Sequence, residues 1–531
     1  MGCVLEGLFG GGGGFTVFLV RLFRKRWRLL LLAGLGPVLF LLVLLSIERF
    51  RGWVSLRGER RALVAGGVTF DPRAFAAPPA APGENGMPGL LAAAKRLNTG
   101  VALPLDPPPA MRLTPAGHAV VGIREPSWAF QKTRHRWEEV TADLAANREA
   151  VSNALAALQA PVLRVALDYS EGARLALSHL APTKSLVIWI GASAQVSLRA
   201  GDTHEALRAL LAGTRLPDTL ASDQLVISEL VRIAIASIMR NRVWEALQAD
   251  GWTDQDLARL QEAWEGLHFA LPMARALEGE ILYADSTYVQ VGASHAEAVR
   301  LLQGMRLFAS TEEAPVWEGW LEPFPYGKEM ADWITNEGFC RLWRFAWIDQ
   351  DHSRRLRQTS RLMEAARVAA AGMSFARVRE GIDALEKQDS IRSTYDRWRY
   401  PFAAQSPFSL FGVVGKGMRA EAERGLVVTA IALKRCQVRH RPLPESLGEL
   451  VPEFLKEVPV DPMDGRPLRY RRQAGGGFLL YSVGSDGVDN GGDGQPPGGL
   501  ATLNSIWERK DAVWPQPALP EEIQAYRAQG P

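Results

Sequence analysis

The chain has 531 residues, of which 47% are hydrophobic and 22% are charged, and its formal net charge is +3 at pH 7. This composition is typical of a globular protein with two to four domains, and the balance of charges excludes a strongly basic nucleic-acid-binding chain. Cys3, Cys340 and Cys436 are too few for a disulfide framework and lack the spacing of a zinc site. We expect Cys340 and Cys436 to be buried free thiols; their pairing in an exported body is the alternative.

One long apolar segment lies near the N-terminus. Residues 29–47, LLLLAGLGPVLFLLVLLSI, carry no charge and as a helix just cross a hydrocarbon core of about 30 Å. No small-residue cleavage site follows, so we expect an uncleaved transmembrane anchor. Basic residues flank both ends and are denser on the N-terminal side. Residues 1–28 are therefore expected to be a cytoplasmic tail, with the body on the outer side of the membrane.

Residues 48–127 are expected to hold a juxtamembrane helix and a linker. The arginine-rich stretch after residue 47 continues as a helix and ends at Gly66-Gly67. Residues 71–110 are rich in proline, alanine and glycine, which favours an extended chain. A short helix over 88–97 interrupts this linker.

Residues 128–414 are expected to form a mainly helical body. Apolar residues recur at three- and four-residue spacing over 133–160, 203–216 and 222–251. Thr253 and Asp256 have the spacing of a capping box. The apolar segments 184–191 and 281–292 have the composition of short strands. A stack of helical hairpins is the simplest architecture for this pattern.

Five of the sixteen tryptophans lie within residues 316–347. Such a segment either belongs to a core or forms a surface that binds sugars or a partner. Phe339, Trp343 and Trp347 recur every four residues, which places them on one helix face and favours the core.

No catalytic motif is found in the sequence: the HExxH, GxSxG, Walker and dinucleotide-binding patterns are all absent. Asp349, Asp351 and His352 have side chains suited to acid–base chemistry. A solvated polar helix face is the favoured interpretation of this group. We assign no catalytic residue, and an enzyme is the less favoured class.

Residues 415–510 are expected to form a small α+β module, followed by a tail over 511–531. A helix from residue 421 precedes two strands, 466–472 and 477–484, joined by a glycine turn as an antiparallel hairpin. The order of elements over about 421–494 resembles the globular part of type II secretion system pseudopilins. The residues that carry this resemblance are Leu443-Pro444, Asp461-Pro462, Gly465, Pro467, Tyr470 and the sequence YSVGSDG. Met463 stands where that family has an aromatic residue.

The C-terminal module contains an aspartate- and glycine-rich loop, within residues 480–494. Asp486, Asp489, Asn490 and Asp493 offer the hard oxygen ligands that calcium prefers, but the same residues form ordinary solvated turns. Both interpretations remain open. The pseudopilin resemblance implies calcium as a cofactor, because Asp486 matches a calcium-binding position. The family's downstream acidic pair has only Asn504 and Asp511 as counterparts.

The layout as a whole resembles a group of uncharacterised bacterial membrane-anchored proteins. Shared features are the basic anchor, a linker with Pro78-Pro79, Pro82 and Glu84-Asn85, the helical body and the C-terminal module. The resemblance implies a single span in the bacterial cell membrane with a periplasmic body, and no known activity.

The sequence therefore predicts a mainly α protein with one N-terminal transmembrane helix, a helical-hairpin body and a pseudopilin-like α+β module. The predicted function is that of an exported envelope protein with a structural or partner-binding role, related to secretion or pilus-like assembly. Its expected partners are the membrane and envelope proteins, not nucleic acid. The alternative is an envelope hydrolase with a site in the helical body near the tryptophan-rich segment.

Overall fold

The computed structural model describes residues 12–81, 83–98, 100, 103, 111–130, 133–304, 326, 330, 333, 337–372, 374–390, 393–404, 410–473, 476–496 and 506–528. Within these ranges only the backbone is described for residues 12–34, 111, 128–130, 133, 304 and 394. Helices account for 67% of the described residues and strands for 7%, which confirms the prediction of a mainly α fold.

Helices dominate both halves of the chain, and the strands are short. The helices are α1 Gly12–Ala65, α2 Pro72–Phe75, α3 Met87–Arg96, α4 Trp137–Ala146, α5 Arg148–Ala157, α6 Leu180–Arg199, α7 Thr203–Arg215, α8 Val226–Leu247, α9 Asp254–Glu265, α10 Ala270–Ala293, α11 His295–Gly304, α12 Phe339–Ala346, α13 Ile348–Gly372, α14 Ala376–Asp389, α15 Thr394–Arg399, α16 Pro401–Ala404, α17 Val413–Val438 and α18 Pro520–Ala528. The strands are β1 Met111–Leu113, β2 His118–Val121, β3 Ser127–Phe130, β4 Thr133–Arg136, β5 Val460–Asp461, β6 Arg466–Pro467, β7 Arg469–Arg472, β8 Phe478–Ser482, β9 Ala512–Val513 and β10 Gln516–Pro517.

The chain divides into two compact units. Unit 1 comprises residues 1–62, 288–355 and 391–405, and unit 2 comprises residues 63–287, 356–390 and 406–531.

Helix α1 is the longest element, with 54 residues, or about 80 Å at 1.5 Å per residue. It ends at Ala65, and Gly67 has a φ of +87°. The predicted end at the glycine pair is therefore confirmed, since such a φ favours glycine. Among the described helices, none meets the length and hydropathy expected of a membrane-crossing segment.

The core of unit 1 is aromatic. Phe339, Trp343 and Trp347 are buried and cluster with Tyr288, and the ring of Trp398 meets Phe339 edge-on at 4.8 Å. The core interpretation of the Phe339/Trp343/Trp347 face is confirmed. Trp333, from the same stretch of sequence, is exposed.

The main core of unit 2 lies where α6, α7, α8, α9 and α17 pack on one another. The prediction of strands at 184–191 and 281–292 is wrong, because these segments lie in α6 and α10. Residues 186–190 of α6 are all buried. A helix enclosed on every side has no polar face, so its sequence cannot be told from that of a buried strand.

The segment predicted to be a linker also contributes to this core. The predicted short helix is confirmed as α3, and its Met87, Leu90 and Ala93 are buried in the core of unit 2. The predicted domain boundaries at residues 127 and 414 stay predictions, although the same core contains residues on both sides of each.

The C-terminal part of unit 2 carries small sheets beside α17. Strands β7 and β8 pair antiparallel, with Tyr470 opposite Leu480, and β9 adds to the other edge of β8. The predicted hairpin is confirmed. Helix α17 packs against α8 and α9 and buries most of its residues, among them Glu421 and Glu423.

Candidate functional site

The turn before the C-terminal hairpin is built on a buried carboxylate. Asp461 is fully buried and accepts hydrogen bonds from the backbone N–H of Met463 at 3.0 Å and of Val483 at 2.9 Å. The Ser482 hydroxyl donates a third at 2.9 Å. Burial raises the pKa of Asp461 in spite of these donors. This side chain therefore ties the Asp-Pro turn to the end of β8.

A second buried carboxylate holds the aspartate- and glycine-rich loop. Asp511, fully buried at the start of β9, accepts hydrogen bonds from the backbone N–H groups of Asn490, Gly492 and Asp493 at 2.8–3.2 Å. The loop curls around it because Gly491 and Gly492 have φ values of +72° and +83°, a conformation that favours glycine. The sequence indicates Asp511 only as a weak counterpart of a family position, and its partner in that role, Asn504, lies outside the described residues.

The four predicted calcium ligands lie on this loop but have separate partners. Asp486 accepts from the Val488 N–H at 3.1 Å, and the Asn490 side-chain amide donates to the Val488 carbonyl at 2.9 Å. Asp489 accepts from the Tyr481 hydroxyl at 2.9 Å. The backbone N–H groups of Gly491 and Gln495 donate to Asp489 and Asp493, each at 2.9 Å. Two basic side chains also contact these carboxylates: Arg469 lies 3.3 Å from Asp489, and Lys510 lies 2.7 Å from Asp493.

These contacts bear on how the loop would hold a cation. The N–H of Gly491 lowers the pKa of Asp489, and the hydrogen bond from Lys510 lowers that of Asp493, so both are charged and both are engaged. In this arrangement the residues do not form a ready calcium cage, because Arg469 and Lys510 compete for two of its carboxylates. Within the described ranges, no three His, Cys, Asp or Glu side chains are grouped to hold a metal ion. Calcium binding stays a prediction.

In unit 1, one face of α1 is fixed against α13. The hydroxyls of Ser55 and Ser353 are 2.6 Å apart, and a Cβ on Gly52 would come within 2.8 Å of the Gln350 side chain. The Gln350 side-chain amide donates to the Glu48 carboxylate at 2.9 Å. The close approach of the two helices therefore depends on glycine at position 52.

Before this contact, α1 exposes large apolar side chains on all sides. Between residues 35 and 47 the exposed ones are Leu35, Val38, Leu39, Phe40, Leu41, Leu42, Val43, Leu44 and Ile47. Phe50, Trp53 and Val54 continue the exposure at 63%, 44% and 49%, and Arg57 stacks over the Trp53 ring at 4.2 Å. We call Phe50, Trp53, Val54 and Arg57 the aromatic–basic face of α1. Their three- and four-residue spacing places them on one side of the helix.

The prediction that Asp349, Asp351 and His352 form a solvated helix face is wrong for two of them. Asp351 and His352 are buried, and the His352 ring stacks on Tyr288 at 4.3 Å. The Asp351 carboxylate accepts hydrogen bonds from the backbone N–H of Phe402 and Ala403 at 3.0 and 2.9 Å, at the start of α16. Burial raises the pKa of Asp351 to about 7. Its contacts are those of a helix cap.

A cysteine, a histidine and a glutamate come together between α11 and α12. The Cys340 sulfur lies 3.7 Å from Nδ1 of His295, whose Nε2 lies 2.6 Å from the Glu337 carboxylate. This is the order of groups found in thiol hydrolases. However, Cys340 is fully buried, and burial raises the pKa of its thiol to about 11. The thiol is therefore protonated at neutral pH and weakly nucleophilic.

Cys340 and Cys436 are both free and buried, as predicted. The relation of Cys340 to His295 has no signal in the sequence, because 45 residues separate the two and no short motif joins them. No family model, no curated protein and no solved structure matches the chain.

Proposed function

We propose that the protein is a membrane-anchored envelope protein with a structural or partner-binding role, held to the bilayer by the N-terminal part of α1. One observation carries the proposal: the large apolar side chains of residues 35–47 are exposed around the helix. Exposure of such a surface to water costs about 25 cal/mol of free energy per Å² of apolar area. Lipid removes this cost.

The aromatic–basic face supports the same proposal. Phe50, Trp53 and Val54 follow the apolar segment within two helical turns, and Arg57 stacks on Trp53. Tryptophan and arginine next to an apolar helix are typical of the membrane–water interface. Because α1 is fastened to α13 at Gly52 and Ser55, unit 1 would be held at this interface.

The remaining parts of the proposal come from the sequence. The body is placed on the periplasmic side by the denser basic cluster before the apolar segment. A role in secretion or pilus-like assembly is supported by the pseudopilin resemblance of residues 421–494, which includes the β7–β8 hairpin.

Membrane extraction tests the anchor. The full chain should stay in the pellet after alkaline carbonate treatment of cell membranes, and Leu41→Asp should release it, since a charge within a span costs about 3 kcal/mol. Leu519→Asp, at an equally exposed leucine of unit 2, is the matched control and should stay in the pellet. Release of the wild-type chain by carbonate would disprove the anchor. Protease added to spheroplasts should cut the body; protection there and digestion after lysis would refute the orientation.

Calcium binding at Asp486, Asp489, Asn490 and Asp493 is a separate part of the proposal. The test is calorimetric titration of the full chain, because α17 is embedded in the core of unit 2 and a C-terminal fragment would expose it. Asp489→Asn and Asp493→Asn should each abolish the heat of calcium binding. If the wild-type chain gives no heat of calcium binding, the loop is a turn around Asp511 and not a calcium site.

The alternative function, an envelope hydrolase, is favoured by the contacts among Cys340, His295 and Glu337. If His295 activates the thiol, iodoacetamide should alkylate Cys340 at pH 7 faster than Cys436, the other buried thiol, and His295→Ala should remove the difference. Equal or slower alkylation of Cys340 would exclude the thiol as a nucleophile. Burial raises the pKa of both thiols, which predicts slow alkylation of each.

A further inference from the structure

A groove with basic and apolar walls lies on unit 2, between α5, α7 and α9. Its volume is about 650 Å³, within the range of ligand-binding clefts. Leu211 is partly exposed at the floor, beside the buried Leu155 and Leu207, and arginines form the rim. We call it the arginine groove, with floor residues Leu155, Leu207 and Leu211 and rim residues Arg208, Arg215 and Arg259.

The rim of the groove carries more positive than negative charge. Asp218 is the acidic residue of the lining, against the three arginines. Arg259 is exposed, and among the described residues its side chain has no hydrogen bond or ion pair. Arg208 pairs at 2.7 Å with Glu205 of its own helix while its side chain stays 54% exposed. The Arg215 guanidinium donates to the Ala160 carbonyl at 2.6 Å through one nitrogen. Arg208 and Arg259 are therefore the guanidinium groups most accessible to an anionic ligand.

The floor and rim residues of α7 form two parallel stripes. Leu207 and Leu211 are four residues apart, and Arg208 and Arg215 are seven apart, so each pair lies along one side of the helix. The two arginines are separated by about 10 Å along the axis, at 1.5 Å per residue. A partner helix with leucines four apart and acidic residues seven apart has the complementary pattern.

We propose that the arginine groove binds an acidic amphipathic helix of a partner protein. The proposal deepens the partner-binding role proposed above and rests on it for its biological meaning, although the groove itself is independent of the anchor. Apolar side chains of the partner pack on the exposed part of Leu211 at the floor, as in helix-in-groove recognition. Its carboxylates pair with the arginines of the rim and select the acidic partner.

The test uses the full chain in detergent micelles and labelled probe peptides. An 18-residue fluorescein peptide with leucine at four-residue spacing and glutamate at seven-residue spacing should bind, as measured by fluorescence anisotropy. A second peptide with lysine in place of each glutamate should bind at least about tenfold more weakly, because like charges oppose it at the rim. Leu211→Asp should abolish binding of the acidic peptide.

Charge reversal on the rim distinguishes a specific site from general attraction. Arg259→Glu should lower the affinity for the acidic peptide about tenfold. The double variant Arg208→Glu/Arg259→Glu should bind the lysine peptide more tightly than the acidic one. Arg471→Glu is the matched control: this arginine is exposed on β7, outside the groove, and its reversal should leave affinity unchanged. Equal binding of both peptides to the wild type, or equal losses in Arg259→Glu and Arg471→Glu, would overturn the proposal.

Two further outcomes would also refute it. If the wild-type chain is a dimer that Arg259→Glu converts to a monomer, the groove holds a second copy instead. If neither peptide binds below about 1 mM, the groove is not a helix site. Carbonate extraction of membranes from cells that express the same variants reports on the anchor separately, so loss of peptide binding and loss of membrane association can be told apart.

Discussion

Glu421 offers the sharpest test of how the core of unit 2 is held together. It lies on α17, is 4% exposed, and accepts a hydrogen bond from the backbone N–H of Phe269 at 2.7 Å, just before α10. Arg424 donates to its other oxygen at 2.7 Å, and His268 lies 3.7 Å away. We expect Glu421→Gln, which keeps the shape and removes the charge, to destabilise the protein at neutral pH.

The size of the effect follows from the pKa. Burial alone would raise the pKa of Glu421, but His268, Arg424 and the Phe269 N–H bring it down from 4.5 to about 2. This lowering of the Glu421 pKa, by about 2.5, corresponds to about 3 kcal/mol of folding free energy. Because the pKa is lower in the folded chain than in the unfolded one, this stabilisation is complete above pH 4.5. It is lost as the pH falls through 2.

Urea unfolding of the full chain in micelles, followed by tryptophan fluorescence, measures this contribution. Glu421→Gln should lower the free energy of unfolding by about 3 kcal/mol at pH 7, by less at pH 3, and by almost nothing at pH 2. Glu457→Gln is the control, since Glu457 lines the same small cavity as Glu421 but is exposed. A loss that does not change between pH 7 and pH 2 would mean that packing, not charge, explains the effect.

Three further predictions concern stability and use the same assay. Gly52→Ala should cost about 1–3 kcal/mol because its Cβ meets Gln350 at 2.8 Å, whereas Gly58→Ala, with open space around it, should be neutral or stabilise α1 by up to about 1 kcal/mol. Asp511→Ala should cost about 2–4 kcal/mol by removing the acceptor of three backbone N–H groups, and Asp486→Ala, which has one local bond, about 1 kcal/mol or less. Trp343→Ala should cost about 3–5 kcal/mol through the cavity it leaves in the core of unit 1. Equal losses of stability in Gly52→Ala and Gly58→Ala, or in Asp511→Ala and Asp486→Ala, would contradict these assignments. So would a Trp343→Ala variant with unchanged stability.

The parts of the fold that the sequence predicted correctly depend on neighbouring residues. Thr253 and Asp256 form the expected capping box at the start of α9. The β7–β8 hairpin follows from two strand-like segments and a glycine turn, with Gly476 at a φ of +82°. Phe339 and Trp343 are buried because four-residue spacing places them on one helix face. In each case the signal lies within a few residues.

The predictions that failed depend on contacts between distant residues. Asp351 is predicted from the sequence to lie on a solvated helix face. It is buried because it caps the N–H groups of Phe402 and Ala403, about fifty positions later in the chain. The segment 184–191 of helix α6 has the composition of a strand because its residues 186–190 are all buried. Hydrophobic periodicity describes the contrast between two faces of an element, and it gives no information when both faces are buried.

The candidate sites also differ in whether they depend on neighbouring or on distant residues. The leucine and arginine stripes of α7 are present in the sequence, but they become a groove only when α5 and α9 pack beside them. His295 and Cys340 are brought together by the packing of α11 on α12. The transmembrane span over residues 29–47, in contrast, is predicted from an uninterrupted uncharged run of nineteen residues alone, and it stays a prediction.

The aspartates of the C-terminal loop explain why composition could not decide between a turn and a cation site. Asp486 is exposed and accepts one N–H from its own turn, whereas Asp511 is buried and accepts three N–H groups from the loop. Calcium requires several carboxylates that converge on one point. In this loop, the backbone N–H groups of Asn490, Gly492 and Asp493 converge on the carboxylate of Asp511. Glycine is frequent in the loop for the same reason, since the chain must curl tightly to direct these donors inward.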